Sequence, residues 1–175
     1  MRAGVLTVSD RVSRDEAEDQ SGPRAAELLE ALGFAATVRV VSDGVAVVEA
    51  GIRSFLDEGV ALVVTTGGTG FAPRDLTPEA TRRVIERPAP GLAEAMRAVT
   101  FGVNPHGMLS RGVAGIVGET IVINLPGSVG GVEESLHAIA GALPHAVALL
   151  GDRPSDHRVQ PGRPAPSVEP PGTTA

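Results

Sequence analysis

Two hydrophobic periods alternate along the chain. Ala3 to Ser9 is a short, Val-rich apolar run with the pattern of a buried strand. The polar stretch from Asp10 to Gln20 reads as a loop. Ser21 then reads as an N-cap with Pro23 in the first turn, and Ala25, Leu28, Leu29 and Leu32 recur at helical spacing up to Gly33, a natural stop. The alternation repeats. Ala36 to Val41 is a second strand, rich in β-branched residues. Val45, Val48, Ile52, Phe55 and Leu56 mark one face of a second helix, which Gly59 ends. Ala61 to Thr66 is a third strand, and it runs straight into Gly67-Gly68-Thr69-Gly70. Thr77-Pro78 opens a third helix, Pro88-Ala89-Pro90 closes it, and a fourth helix follows from Leu92 to Phe101.

The pattern then changes to a hairpin. Gly112 to Val117 and Thr120 to Asn124 flank Gly118-Glu119, a two-residue turn with glycine first. Two helical stretches follow, Val132 to Ala140 and Pro144 to Leu150. Strands alternating with helices predict an α/β fold of three layers, α/β/α. Its sheet is mainly parallel, with helices on both faces and one antiparallel hairpin. That domain occupies residues 1–151. From Asp152 onward, prolines 154, 161, 164, 166, 170 and 171 fall among small polar residues without periodicity, so residues 152–175 are expected to form a disordered tail.

Composition narrows the function. The chain has no cysteine, which removes disulfides, thiolate metal sites and cysteine nucleophiles. Its 15 basic residues are all arginine, so it has neither a Schiff-base lysine nor the lysine of a P-loop. A net charge of −6 and 2% aromatic residues, all Phe, argue against nucleic acid as a partner. No apolar run is long enough to span a bilayer, and Ser9-Asp10-Arg11 interrupts the N-terminus before a signal sequence forms. The expectation is a cytoplasmic protein with no membrane partner.

In an open α/β sheet, ligands bind beyond the carboxyl ends of the strands, and three loops there carry candidate chemistry. Thr65-Thr66-Gly67-Gly68-Thr69-Gly70 leaves a buried strand, and its glycines let backbone N–H groups approach a phosphate. It is neither a P-loop nor a GxGxxG turn, which sets aside a nicotinamide enzyme. In Arg74-Asp75-Leu76-Thr77-Pro78, Asp75 is either a hard-oxygen ligand for Mg²⁺ beside a bound phosphate or a solvated partner of Arg74. Asp43, at the end of the second strand, is either at the same edge or the N-cap of the next helix. Asn124-Leu125-Pro126-Gly127-Ser128 leads into a helix N-terminus, which suits an anion. Ser110-Arg111 enters the hairpin, with Arg111 either a planar fork for phosphate or a surface ion pair. His106, His137, His145 and His157 have no zinc-like spacing, and His137 and His145 suit helix-surface or packing positions.

Together these stretches resemble the molybdopterin adenylyltransferase family and the related domain of gephyrin-like proteins. The matching segments are Val8-Ser9-Asp10-Arg11, Asp19-Gln20-Ser21-Gly22-Pro23, Thr65 to Gly70, Arg74-Asp75-Leu76-Thr77-Pro78-Glu79-Ala80, Leu109-Ser110-Arg111 and Asn124 to Ser128. They stand in family order over residues 1–151. Val129-Gly130 departs from it, since family members often carry Pro-Lys there.

The resemblance implies that ATP and molybdopterin are substrates, with Mg²⁺ as cofactor and adenylyl-molybdopterin and pyrophosphate as products. It assigns Asp43 and Asp75 to catalysis and metal binding. Substrate and nucleotide binding fall to Ser9, Asp10, Thr66, Gly67, Gly68, Thr69, Gly70, Ser110, Arg111, Asn124, Pro126, Gly127 and Ser128. It implies a homo-oligomer, trimeric or hexameric, with a molybdate-insertion enzyme as partner. The alternative within the same resemblance is a non-catalytic paralogue that binds molybdopterin as a carrier or assembly partner. A molybdate-insertion enzyme, which shares this domain, has a multidomain chain, and 175 residues do not accommodate it.

Overall fold

A computed structural model describes residues 1–101 and 103–151. The proline-rich stretch read above as a tail lies outside the described residues. The strands are β1 (Arg2–Val8), β2 (Ala35–Val41), β3 (Leu62–Thr66), β4 (Arg87–Pro88), β5 (Ala114–Val117) and β6 (Thr120–Leu125). They form a six-stranded sheet in the order β2-β1-β3-β6-β5-β4. β1, β2, β3 and β6 run parallel, whereas β5 pairs antiparallel with both β6 and β4. The hairpin turn sits between Val117 and Thr120, as expected, with Gly118 at positive φ.

The period-2 alternation of the central strands divides the core into two layers. Val5, Val64 and Ile123 face α2 (Ser21–Ala31), α5 (Pro90–Ala98), α6 (Val129–Ile139) and α7 (Leu143–Leu150). Leu6, Val63 and Val122 face α3 (Val45–Asp57) and α4 (Thr77–Arg82). This is the three-layer arrangement the sequence predicts. In the second layer, the fully buried Phe55 ring lies over β1 where Gly4 leaves room for it. Burying such a ring contributes about 2–3 kcal/mol.

Three elements differ from the sequence reading. The stretch after β1 opens with a short helix, α1 (Asp10–Ser13), because Ser9 Oγ accepts the Val12 amide at 3.3 Å. Ser21 does not cap α2. It is the first helical residue, and Asp19 accepts the Gly22 amide in its place. The third helix ends at Arg82, well before the prolines. Beyond it Ile85 packs over Gly115, and Glu86 and Ala89 donate to the carbonyls of Ile116 and Ala114. Pro88 therefore belongs to an edge strand, where a residue without an N–H is tolerated. Pro90 starts α5.

Candidate active site

The parallel register brings the carboxyl ends of four strands to one edge. Val8 is level with Val41, Thr7 with Thr66, and Thr66 with Leu125. β1 lies between β2 and β3, so the chain reverses direction across the sheet there, at the topological switch point where α/β sheets bind ligands. The loops after β1, β3 and β6 meet at this point. Gly67 has φ +95°, and a Cβ on it would overlap the Val8 carbonyl oxygen. A Cβ on Gly127 would lie 3.1 Å from Gly67 Cα. Only glycines allow three backbones this close.

Both candidate carboxylates border the glycine loop. The Cβ position of Gly68 (φ +62°) lies 3.5 Å from Asp43 Oδ1, and that of Gly70 lies 2.8 Å from Asp75 Oδ2. Asp43 is no helix cap. The residue at the N-cap of α3 is Gly44, and Asp43 Oδ2 instead accepts the Asp10 amide at 2.8 Å. In return the Asp43 amide donates to Asp10 Oδ1 at 3.2 Å. Asp75 is not the partner of Arg74 either: its Oδ2 accepts the Ala72 amide at 2.9 Å, closing its own loop. Arg74 reaches back to Asp10, with Nε at 2.6 Å from Oδ2 and Nη2 at 2.9 Å from Oδ1. The Arg74 hydrogen bonds are the largest reason that the Asp10 carboxyl titrates below its ordinary range.

Other predicted site residues serve the scaffold through their side chains. Arg111 donates from Nε to the Gly70 carbonyl at 2.8 Å, from Nη2 to the Asp75 carbonyl, and forks onto both carboxylate oxygens of Glu79 at 2.6 and 3.2 Å. That pairing lowers the Glu79 pKa. Arg111 thus braces the glycine loop from below, and most of its donors are committed there. Asn124 is 1% exposed. Its amide nitrogen donates to Thr65 Oγ1 at 3.0 Å and Thr81 Oγ1 at 2.8 Å, while its oxygen accepts the Val113 amide at 3.2 Å. Thr66 is buried, with its hydroxyl 2.9 Å from Ser21 Oγ. Thr69 supplies its carbonyl to the Arg111 amide.

Two hollows open at this edge. One lies between the N-termini of α2 and α6, lined by Ser9, Asp19, Ser21, Thr66, Gly67 and Gly127. The other lies between α5, α6 and the hairpin entry, lined by Thr69, Gly70, Met96, Ser110, Asn124 and Pro126. Ser128 lines both, and its Oγ accepts the Gly131 amide at 3.1 Å as the N-cap of α6.

Asp19-Gln20-Ser21 belongs to a matching motif without an expected site role. In the fold, Asp19 accepts from Thr7 Oγ1 at 2.6 Å, from Ser21 Oγ at 3.3 Å and from the Gly22 amide at 2.9 Å. The signal was a carboxylate just before a Ser-Gly-Pro helix start, which is capping chemistry. Among the described residues, Thr77 Oγ1 is the buried side-chain polar atom without a partner, and it lies directly beneath Gly68.

A family model described as a probable molybdopterin binding domain matches residues 4–145. The chain belongs to this family. In fold it is similar to the molybdopterin biosynthesis enzyme MoaB from Thermus thermophilus, at 46% identity and a TM-score of 0.82, covering 87% of this chain and 98% of that one. In sequence it is 41% identical over 153 residues to the molybdopterin adenylyltransferase of Helicobacter pylori strain J99, covering 84% of this chain and 86% of that protein. It is also 40% identical over 162 residues to gephyrin from Dictyostelium discoideum, covering 86% of this chain but only 23% of gephyrin. The chain thus spans about a quarter of that longer relative. The chain is also 34% identical to the molybdopterin adenylyltransferase of Escherichia coli K12, covering 86% of this chain and 85% of that protein. Among the described residues no helix is long and apolar enough to cross a membrane.

Proposed function

We propose that the protein is a molybdopterin adenylyltransferase acting in molybdenum cofactor biosynthesis. The terminal phosphate oxygen of molybdopterin attacks the α-phosphorus of ATP, the bond to the β-phosphate breaks, and pyrophosphate leaves. One observation carries this assignment: two hollows share Ser128, and the glycine loop beside them is flanked by Asp43 and Asp75. Two phosphate-bearing substrates that must meet end to end need such a junction.

The donor set suits Mg²⁺. Among the described residues no group of three or more His, Cys, Asp or Glu side chains surrounds a cation position. Mg²⁺ is commonly held by one or two carboxylates with water and substrate phosphates completing the shell, and Asp43 and Asp75 would supply those carboxylates. Bound there, the ion would offset charge on the transferring phosphoryl oxygens. The chain's own residues do the rest. The glycine loop and the α6 N-terminus present amides to the phosphates, Ser110 borders the hollow beside the hairpin, and Arg111 keeps the loop in shape. We also propose a cytoplasmic homotrimer, on the strength of the family membership.

Pyrophosphate release from ATP and Mg²⁺, with and without molybdopterin, tests this assignment in the wild type and in Asp75→Ala. The expected result is molybdopterin-dependent release that falls at least about a hundredfold in the variant. Tight molybdopterin binding without release in either protein would overturn the enzyme and leave a carrier.

A further inference from the structure

The segments after β1, β2 and β3 each bring one residue to the same spot: Asp10, Asp43 and Arg74. Five hydrogen bonds close them into a ring. The amides of Asp10 and Asp43 each donate to the other's carboxylate, at 2.8 and 3.2 Å. Arg74 forks onto the Asp10 carboxylate and donates from Nη2 to the Asp43 carbonyl at 3.0 Å. Asp43 is therefore held at its amide, its carbonyl and one carboxylate oxygen, while Oδ1 is turned toward Gly68. The residues lie 33 and 64 positions apart from Asp10, so nothing local enforces this arrangement.

We infer that Arg74 is a positioning residue for Asp43, fixing through Asp10 the direction in which the Asp43 carboxylate faces the glycine loop. This rests on the proposed adenylyltransferase reaction, and it gives Arg74, part of a matching segment, a job that the resemblance does not assign. Arg74 contributes little to the core, for its side chain is 65% exposed, while the Asp10 side chain it grips is 19% exposed. A surface ion pair of that exposure adds little to stability. Its geometry has another use: a rigid planar fork binds a carboxylate with two donors and still reaches a carbonyl, an alignment that the point charge of an ammonium on a flexible stem does not fix. Arg14 also approaches Asp10, at 3.4 Å, but it stands only four residues further along the chain.

The test compares Arg74→Ala, Arg74→Lys, Asp10→Asn, the double variant Arg74→Ala/Asp10→Asn, and Arg14→Ala as control. Hydrogen exchange of the Asp10 and Asp43 amides in the ligand-free protein reads the ring directly. Arg74→Ala is expected to speed exchange at both amides at least about tenfold, with an unchanged thermal midpoint. In the assay, kcat should fall about tenfold or more with the KM for molybdopterin unchanged. Arg74→Lys should recover only part of it, and the double variant should be no worse than the poorer single, as for residues acting in one network. Arg14→Ala should match wild type in both readouts. Unchanged exchange in Arg74→Ala overturns the inference. So does a loss confined to the KM for ATP, which would make Arg74 a direct phosphate contact. If the wild type releases no pyrophosphate, the reaction fails, while the exchange measurement still decides whether Arg74 sets Asp43.

Discussion

Two helices begin at the same edge of the sheet and use their N-termini in opposite ways. α2 starts beside Asp19, whose Oδ1 takes the Gly22 amide at 2.9 Å, so the chain supplies its own anion there. α6 starts at Ser128, whose hydroxyl takes the Gly131 amide, and the residues between them, Val129 and Gly130, are uncharged. A Cβ on Gly22 would overlap Thr7 Oγ1 and the Asp19 carboxylate, whereas one on Gly130 would meet nothing within 4 Å. Both termini carry the same partial positive charge. At α2 it is matched internally and stabilises the fold. At α6, on the proposed reading, the first amides are left for a phosphate. One residue before each helix decides which role it takes.

The comparison breaks most visibly at Asp19. Asp19→Ala removes the acceptor for Thr7, Ser21 and Gly22 together, and is expected to cost about 3 kcal/mol. Urea unfolding would show this as a lower midpoint at unchanged slope, and added inorganic phosphate should restore more of the loss than it adds to wild type. A change below about 0.5 kcal/mol would mean that α2 does not depend on its internal anion.

The converse change makes α6 resemble α2. Gly130→Asp puts a carboxylate into open space at the helix start. The KM for ATP should rise about tenfold, roughly 1.4 kcal/mol of lost binding. The thermal midpoint should hold or rise, because an acid in the first turn adds about 0.3–1 kcal/mol. An unchanged KM would place the phosphates somewhere other than α6.

The smallest effect lies in the brace beneath the loop. Glu79 titrates below its ordinary value because Arg111 hydrogen-bonds to it. Its folded-state pKa is lower than its unfolded one, so its stabilising contribution is complete above the ordinary carboxylate range and is lost as pH falls through the lowered value. Glu79→Gln should therefore lose less stability than wild type between pH 7 and the acid transition, followed by thermal melts across that window. Parallel curves would show that the pair is screened.

Much of this arrangement could be read from residue order. The Val- and Ile-rich runs and their alternation specify strands with two buried faces. Gly118-Glu119 specifies the hairpin, and the glycine cluster after Thr66 marks the carboxyl edge of the sheet where three backbones meet. These are local signals, and they survived the fold almost unchanged. What could not be read was pairing across distance. Arg74 next to Asp75 looks like a neighbouring ion pair, yet the loop turns Arg74 toward Asp10 and ties Asp75 to Ala72. Asn124 reads as a ligand contact because its loop leads into a helix N-terminus, and Arg111 reads as either a phosphate fork or a surface ion pair. Their partners, Thr81 and Glu79, lie on α4 and emerge only once that helix is laid across the sheet. The end of α4 was misplaced for a similar reason. Prolines announce that a helix cannot continue, but the actual end was set earlier, by Ile85 packing over Gly115.

The contact of Gly67 with Val8 and Gly127 also has a bearing on how such chains can diverge. Three segments, well separated in the sequence, are interlocked by main-chain atoms, so adding or deleting a residue in any one of them would displace the other two. Length changes are then filtered out at this junction and accumulate where the backbone is not shared, such as the outward turn at Phe71 and residues 99–101 and 103–109, whose side chains are largely exposed. Descendants of this chain should vary in size at the rim while keeping the same residue count from strand end to glycine, generation after generation.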